Sequence, residues 1–260
     1  MRTALIDADI VAYKAAAKNE QIFEFGDQTC VSLNKKGALK DCREMIEYYA
    51  QATGSDKVLI CLSDPDNNFR KEVCADYKNH RKATRKPELL IWVKEYLFRN
   101  YNSVVWPRLE ADDVMGIIQT AGDTFVKGET VIVSEDKDML TIPGMVYNPN
   151  KEDRGIVDVS YSQAVRWHLT QTIIGDPTDG YKGCPRLGPK CSYVAKINDP
   201  DTPIEELWGH VVEGYESKGL TEDDAILQAR QAFILWNHAW KDDTKKLKLW
   251  RPSWITENKP

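Results

Sequence analysis

Nine carboxylates sit where apolar runs of this chain end. Asp7 closes "TALID", and Asp64 closes "KVLICLSD". Glu110, Asp112 and Asp113 lie in "LEADDVMG", Asp136 and Asp138 in "SEDKD", and Asp176 and Asp179 in "GDPTDG". Crowded carboxylates repel and raise one another's pKa unless a cation lies among them. An all-oxygen set without His or Cys suits Mg²⁺, with Mn²⁺ able to substitute. Enough acids for two ions about 4 Å apart is the pattern of phosphoryl chemistry. Taken singly, each acid also fits a helix cap or a turn.

Those acids can act together only if the chain brings them to one place. "TALI" reads as a buried strand, Thr3 to Ile6, and "KVLICL" repeats the plan. A short strand is expected at Ser103–Trp106, a helix starting near Glu110, and a further strand at Thr130–Val133. Strands alternating with helices predict an α/β fold with a mostly parallel sheet flanked by helices. The loops after parallel strands open on one edge, where ligands bind. That places Asp7, Asp64, Glu110, Asp112, Asp113, Asp136 and Asp138 on one edge, with Asp176 and Asp179 folding in from a later segment. After Val159 the period turns helical, and no strand is evident beyond about residue 160. The expected division is an α/β core over residues 1–174 and a helical subdomain with a tail over 175–260. Trp250 and Trp254 in that tail are expected to pack on the body.

The chain has 260 residues, 42% of them hydrophobic, enough to bury a full core. Its six cysteines form no C-x-x-C pair, so reduced thiols and no structural zinc are expected. No long apolar run or secretory leader is evident, which points to a cytoplasmic protein without a membrane partner. Net charge is −5, and setting aside the nine acids leaves a remainder of +4, which favours a polyanionic partner. Residues Arg70, Lys71, Lys78, Arg81, Lys82, Arg85 and Lys86 form a basic run, which could equally be a solvated face. In "GCPRLGPKCS", Gly183 and Gly188 bracket a turn, and Lys190 and Ser192 enter a helix expected over Cys191–Ile197. Such a turn either grips a phosphate through backbone N–H groups or is an ordinary corner between helices.

The run of motifs "LIDAD", "LSDPDNNFRKEVCADYKNHRK", "LEADDVMG", "SEDKD" and "GDPTDGYKGCPRLGPK" resembles the 5′-nuclease superfamily of flap endonucleases and 5′→3′ exonucleases. It is most similar to the exonucleases of short-tailed bacteriophages, and the likeness covers most of the chain. The resemblance implies a PIN-like nuclease core with a helical arch over about residues 67–100. It also implies a C-terminal helix–turn–helix module for DNA. Asp7, Asp64, Glu110, Asp112 and Asp136 would surround one metal, and Asp138, Asp176 and Asp179 would lie toward a second. Asp113 would stand at or behind the first. Lys78 would stabilise the scissile phosphate, with Asp136 and Asp138 at the reacting centre. Tyr77 would lie against the terminal base, and Arg81, Arg85 and Arg70 would steer the strand. Gly183, Gly188, Lys190 and Ser192 would hold duplex phosphates, with a K⁺ ion at that turn. Where many relatives continue the last acid as D-N-x-P-G, this chain has Asp179-Gly180-Tyr181-Lys182-Gly183.

The implied activity is metal-dependent 5′→3′ hydrolysis of duplex DNA, with flap cutting and removal of RNA from a hybrid, alongside replication proteins. "DADIV" offers a rival, since D-x-D-x-V is the nucleophile motif of haloacid-dehalogenase-like phosphatases, with Asp7 as nucleophile and Asp9 as acid. An inactive DNA-structure binder is a second rival, and it would be expected to lack some of the acids.

Overall fold

The computed structural model describes residues 1–26, 28–79 and 85–259. The strands are β1 (Arg2–Asp7), β2 (Glu20–Phe25), β3 (Gln28–Leu33), β4 (Lys57–Leu62), β5 (Ser103–Val105), β6 (Glu129–Val133), β7 (Gly144–Tyr147), β8 (Ile156–Val159), β9 (Trp240–Lys241) and β10 (Lys246–Leu247). The helices are α1 (Ala8–Lys18), α2 (Lys35–Ala52), α3 (Phe69–Val73), α4 (Leu90–Asn100), α5 (Ala111–Gln119), α6 (Tyr161–Ile174), α7 (Ser192–Asn198), α8 (Leu207–Glu216), α9 (Glu222–Ala232) and α10 (Trp254–Glu257).

A six-stranded sheet runs β5-β4-β1-β6-β7-β8, parallel throughout except that β8 returns antiparallel on β7. The central strand β1 pairs with β4 on one side and β6 on the other. Side chains alternate across the pleat. Leu5, Cys61 and Ile132 enter a core built with α5, α6, α8 and α9, while Ile6, Ile60 and Val133 enter one built with α1, α2 and α4. The sheet is therefore covered on both faces, which is why its strands read as continuous apolar runs. The ends of β1, β4, β5 and β6 open on one edge, and the acids follow those ends.

The core beneath α5 runs on past residue 174 into α8 and α9, so the helical part is packed onto that face of the sheet. Trp250 and Trp254 are buried in it. Two expectations change. A short hairpin, β9–β10, does follow residue 160. Within the part expected to be helical, α9 ends at Ala232, because the Leu235 and Asn237 amides donate to Asp113 and Thr120 instead of to a preceding turn. In the segment expected as an arch, α4 buries Val93 and Leu97 and packs on α1, so that end belongs to the core. Among the described residues no helix is long and apolar enough to cross a membrane.

Candidate active site

Each acid is placed by the element it terminates. Asp7 ends β1 and caps α1, accepting the Ile10 amide at 3.3 Å, and its other oxygen accepts the Ser134 hydroxyl at 2.9 Å. Ser134 follows β6, and its oxygen also accepts the Asp136 amide at 3.2 Å. Asp136 in turn caps the 3₁₀ turn Lys137–Thr141, accepting the Asp138 amide at 2.8 Å. Ser134 thus ties the end of β1 to the end of β6. No spacing in the sequence singles it out.

Burial pushes the Asp7 carboxyl up to about 7, with Asp9 and Asp136 adding repulsion against the pull of Ser134 and Ile10. Asp112, in the first turn of α5, is held well above the carboxylate range by burial, then by Asp7 and Asp136. Among the described residues no hydrogen bond or ion pair reaches Asp112. The Asp7, Asp112 and Asp136 group therefore has no bonded counter-ion among the described residues, and only the field of Lys78 reaches Asp112.

Of the six remaining acids, all but Asp64 have cations. Lys78 Nζ lies 2.7 Å from Glu110 and 3.4 Å from Asp179. The Tyr77 hydroxyl faces the same two carboxylates at 3.1 and 3.0 Å. Burial opposes ionisation of Glu110, yet Lys78 and then Arg70 outweigh it and hold the carboxyl at about 2. Burial likewise opposes the Lys78 charge, and Glu110 and Asp179 overcome it, so its pKa is raised. Lys78 sits at φ 52, a costly left-handed conformation for a non-glycine residue, and its own amide is bonded to the Asp179 carbonyl at 3.0 Å. Lys137 makes the second bridge, 3.0 Å from Asp138 and also bonded to Asp176. Burial and then Asp136 push Asp138 up to about 6 against the pull of Lys137.

Asp176 and Asp179 do reach the site from beyond α6. Their loop is closed by the Asp176 amide on the Tyr181 carbonyl at 2.9 Å. Glycines make its neck: a Cβ on Gly175 would lie 2.4 Å from the Lys182 carbonyl carbon, and one on Gly183 2.3 Å from the Gly175 nitrogen.

Several expected roles are corrected. Arg70 does not face a strand of DNA. It is 2% exposed, forks onto both oxygens of Asp113 at 2.7 Å, and donates to the Gln231 and Phe233 carbonyls. Asp113, fully buried, spends its oxygens on Arg70 and on the Glu110 and Leu235 amides, so it supports Glu110 from behind and has no lone pair aimed at the cleft. Tyr77 is 1% exposed and offers no ring face for a base. The Gly183 amide is taken by Gln228 at 2.9 Å, leaving no donor for a phosphate. Asp64 accepts three backbone amides, from Arg108, Asp66 and Asn67, and these overcome burial to hold it below the usual range. Arg85 is paired with Glu20. Lys190 and Ser192 are exposed, and Gly188 half-buried, at the entry to α7, whose cap is Cys191. Arg81 lies outside the described residues.

Asp64, Lys71, Lys78, Arg85, Lys86 and Glu110 line an open cleft of about 630 Å³ at this edge. Asp9, which a phosphatase would need as proton donor beside Asp7, is held by Lys94 at 2.8 Å. Among the described residues no three Asp, Glu, His or Cys side chains are already drawn together around a metal position. The donor set nonetheless fits a hard divalent cation: the ligand candidates are all oxygen, and Asp7, Asp112 and Asp136 repel one another.

Comparisons with known proteins show the family and the fold. Residues 2–159 match the family described as 5′-3′ exonuclease, N-terminal resolvase-like domain. The exonuclease of Escherichia phage T7 is 30% identical over 284 residues, spanning 95% of this chain and 93% of that protein. A DNA polymerase I of Lactococcus lactis is 25% identical over 254 residues, covering 90% of this chain and 28% of the polymerase. Among solved structures, the phage T5 5′-exonuclease with bound zinc ions superposes with a TM-score of 0.62 at 15% identity, covering 89% of this chain and 93% of that one, which shows a shared fold. The chain belongs to the 5′-3′ exonuclease family.

Proposed function

We propose that this protein hydrolyses phosphodiester bonds from the 5′ end of duplex DNA, releasing 5′-phosphate products, with two Mg²⁺ ions as its cofactor. The observation that carries this is the unpartnered Asp112 facing Asp7 and Asp136 at the edge where four strand ends meet. Asp7, Glu110, Asp112 and Asp136 would hold one ion, and Asp138, Asp176 and Asp179 the other. Bound there, the ions would supply Lewis acidity to the attacking water and the scissile phosphate. Lys78, protonated at the cleft floor, adds a point charge for the non-bridging oxygens. Ser134 and the Arg70–Asp113 pair keep Asp7 and Glu110 in register, so little reorganisation is needed at the reacting step. The phage T7 and T3 relatives are an exonuclease and an exodeoxyribonuclease, and a phage T5 neighbour is a flap endonuclease in a complex with DNA and metal ions. Flap cutting, cleavage of RNA in a hybrid, and a duplex grip at Gly188, Lys190 and Ser192 with K⁺ extend the same reading.

The test is digestion of duplex DNA with Mg²⁺. A linear duplex is expected to lose a 5′ label as mononucleotides or short oligomers, and a covalently closed relaxed circle to resist. Equal cutting of the circle, or earlier loss of a 3′ label, would overturn the reading.

A further inference from the structure

The two lysines in the site are arranged alike. Each ammonium joins one acid of the sheet edge to one acid of the loop beyond α6: Lys78 joins Glu110 to Asp179, and Lys137 joins Asp138 to Asp176. They differ in freedom. The Lys78 side chain is 15% exposed and its backbone is bonded to Asp179, whereas the Lys137 side chain is 49% exposed. Lys137 can therefore swing into water without burying or stranding its charge. The acids it joins cannot follow, being 11% and 6% exposed in their side chains. Asp138 is fixed further by Gln171, and Asp176 by the Thr178 amide at 2.7 Å.

We infer that Lys137 is a built-in, displaceable cation of the Asp138–Asp176 pair. It holds the loop 175–181 on the sheet edge while the protein is metal-free, and it leaves when a divalent ion takes the same two carboxylates. This rests on the two-ion reading above and adds to it that the second ion enters by exchange. The ammonium remains on the protein, so the exchange changes the local charge by the two units of the incoming ion. Metal affinity at this position is weaker than the acids alone would give, because each entering ion must displace a partner. The lysine also prevents the pair from repelling itself apart when metal is scarce.

The experiment uses Mn²⁺ as probe, with free ion counted by electron paramagnetic resonance on the whole chain without DNA. Wild-type protein is expected to bind two ions of unequal affinity. In Lys137→Met the weaker site should tighten by about tenfold, the effect of removing one positive charge a few ångströms from a partly solvated divalent ion. Its metal-free melting temperature should fall, and its rise on adding Mn²⁺ should exceed that of wild type. Lys137→Arg keeps the charge and should bind Mn²⁺ like wild type. A purely structural lysine would lower the melting temperature of Lys137→Met without tightening Mn²⁺ binding, and that result overturns the inference. So does Lys137→Arg tightening as much as Lys137→Met. Fewer than two ions on the wild type would instead remove the two-ion reading itself.

Discussion

Replacing Arg70 should unfold this protein more readily and leave its hold on DNA unchanged. The guanidinium is 2% exposed, beside Asp113 with no exposure at all, and it also reaches Glu110 at 3.1 Å and two carbonyls at the end of α9. In Arg70→Met the Asp113 carboxylate remains buried without its cation, a loss of about 3–5 kcal/mol. Total stability of a folded chain is about 5–15 kcal/mol. At roughly 2–4 °C per kcal/mol for a chain near this size, the melting temperature should drop by about 10 °C. The double variant Arg70→Met/Asp113→Leu should recover part of that loss, because no charge is stranded, although the Glu110 and Leu235 amides lose their acceptor. The assay is thermal melting by circular dichroism, paired with duplex affinity at two salt concentrations. A melting shift below about 2 °C, with affinity lost and the salt slope reduced by about one, would mean that Arg70 touches phosphate. The buried-pair argument would then be wrong.

Two further outcomes follow from the site. Lys78→Ala should lower turnover far more than duplex affinity, while Lys190→Ala, an exposed charge beyond the loop, should do the reverse; steady-state kinetics and a binding titration separate them, and equal effects on both parameters would merge the two sites. Metal-free Asp7→Asn should be more stable than wild type at pH 8 and nearly equal to it at pH 3, below the ordinary carboxyl value. The folded Asp7 carboxyl titrates at about 7 against an ordinary 3.8. Between those values the folded state binds more protons than the unfolded one, so the contribution of Asp7 to stability falls as pH rises. Denaturant melts at both pH values check this, and an equal effect at both would show that Asp7 is not ionising under repulsion.

Much of the catalytic edge can be read from the sequence because its logic is local. An apolar run ending in an acid marks β1, β4 and β6, and "EADD" ahead of an apolar helix marks α5. What the sequence could not convey was burial of charge. Arg70 and Arg85 carry the same charge in the same basic run, yet one is sealed against Asp113 and the other is half-exposed on Glu20. Tyr77 was misread for the same reason: an aromatic beside a lysine fits a stacking platform until the fold packs it against Ala232 and Tyr181. The hairpin β2–β3 escaped notice because it presents no buried face for alternation to reveal, with Ile22 and Phe23 both exposed. The close neck of the loop at Gly175 and Gly183 depends on two backbones meeting, and the sequence shows only two glycines eight residues apart.

The nine acids can be sorted by what balances each of them, and the sorting argues for where the ions go. Asp113 is matched by a sealed arginine, and Asp64 by three backbone amides. Glu110 and Asp179 share Lys78, and Asp138 and Asp176 share Lys137. Asp7 has a hydroxyl and one amide, and Asp136 has one amide, neither of which is a charge. Asp112 has no hydrogen bond or ion pair among the described residues, only the field of Lys78. The least compensated charge therefore collects at Asp7, Asp112 and Asp136, after β1, β5 and β6, and it lies next to Glu110, which Lys78 keeps ionised. On the two-ion reading, a first divalent ion would enter beside Lys78, which is bonded to Glu110 and not to Asp7, Asp112 or Asp136, while a second would have to displace Lys137. The two positions would then be unequal before any substrate arrives, because Lys137 bridges Asp138 and Asp176 while no ion pair joins it to Asp136, its other neighbour in sequence.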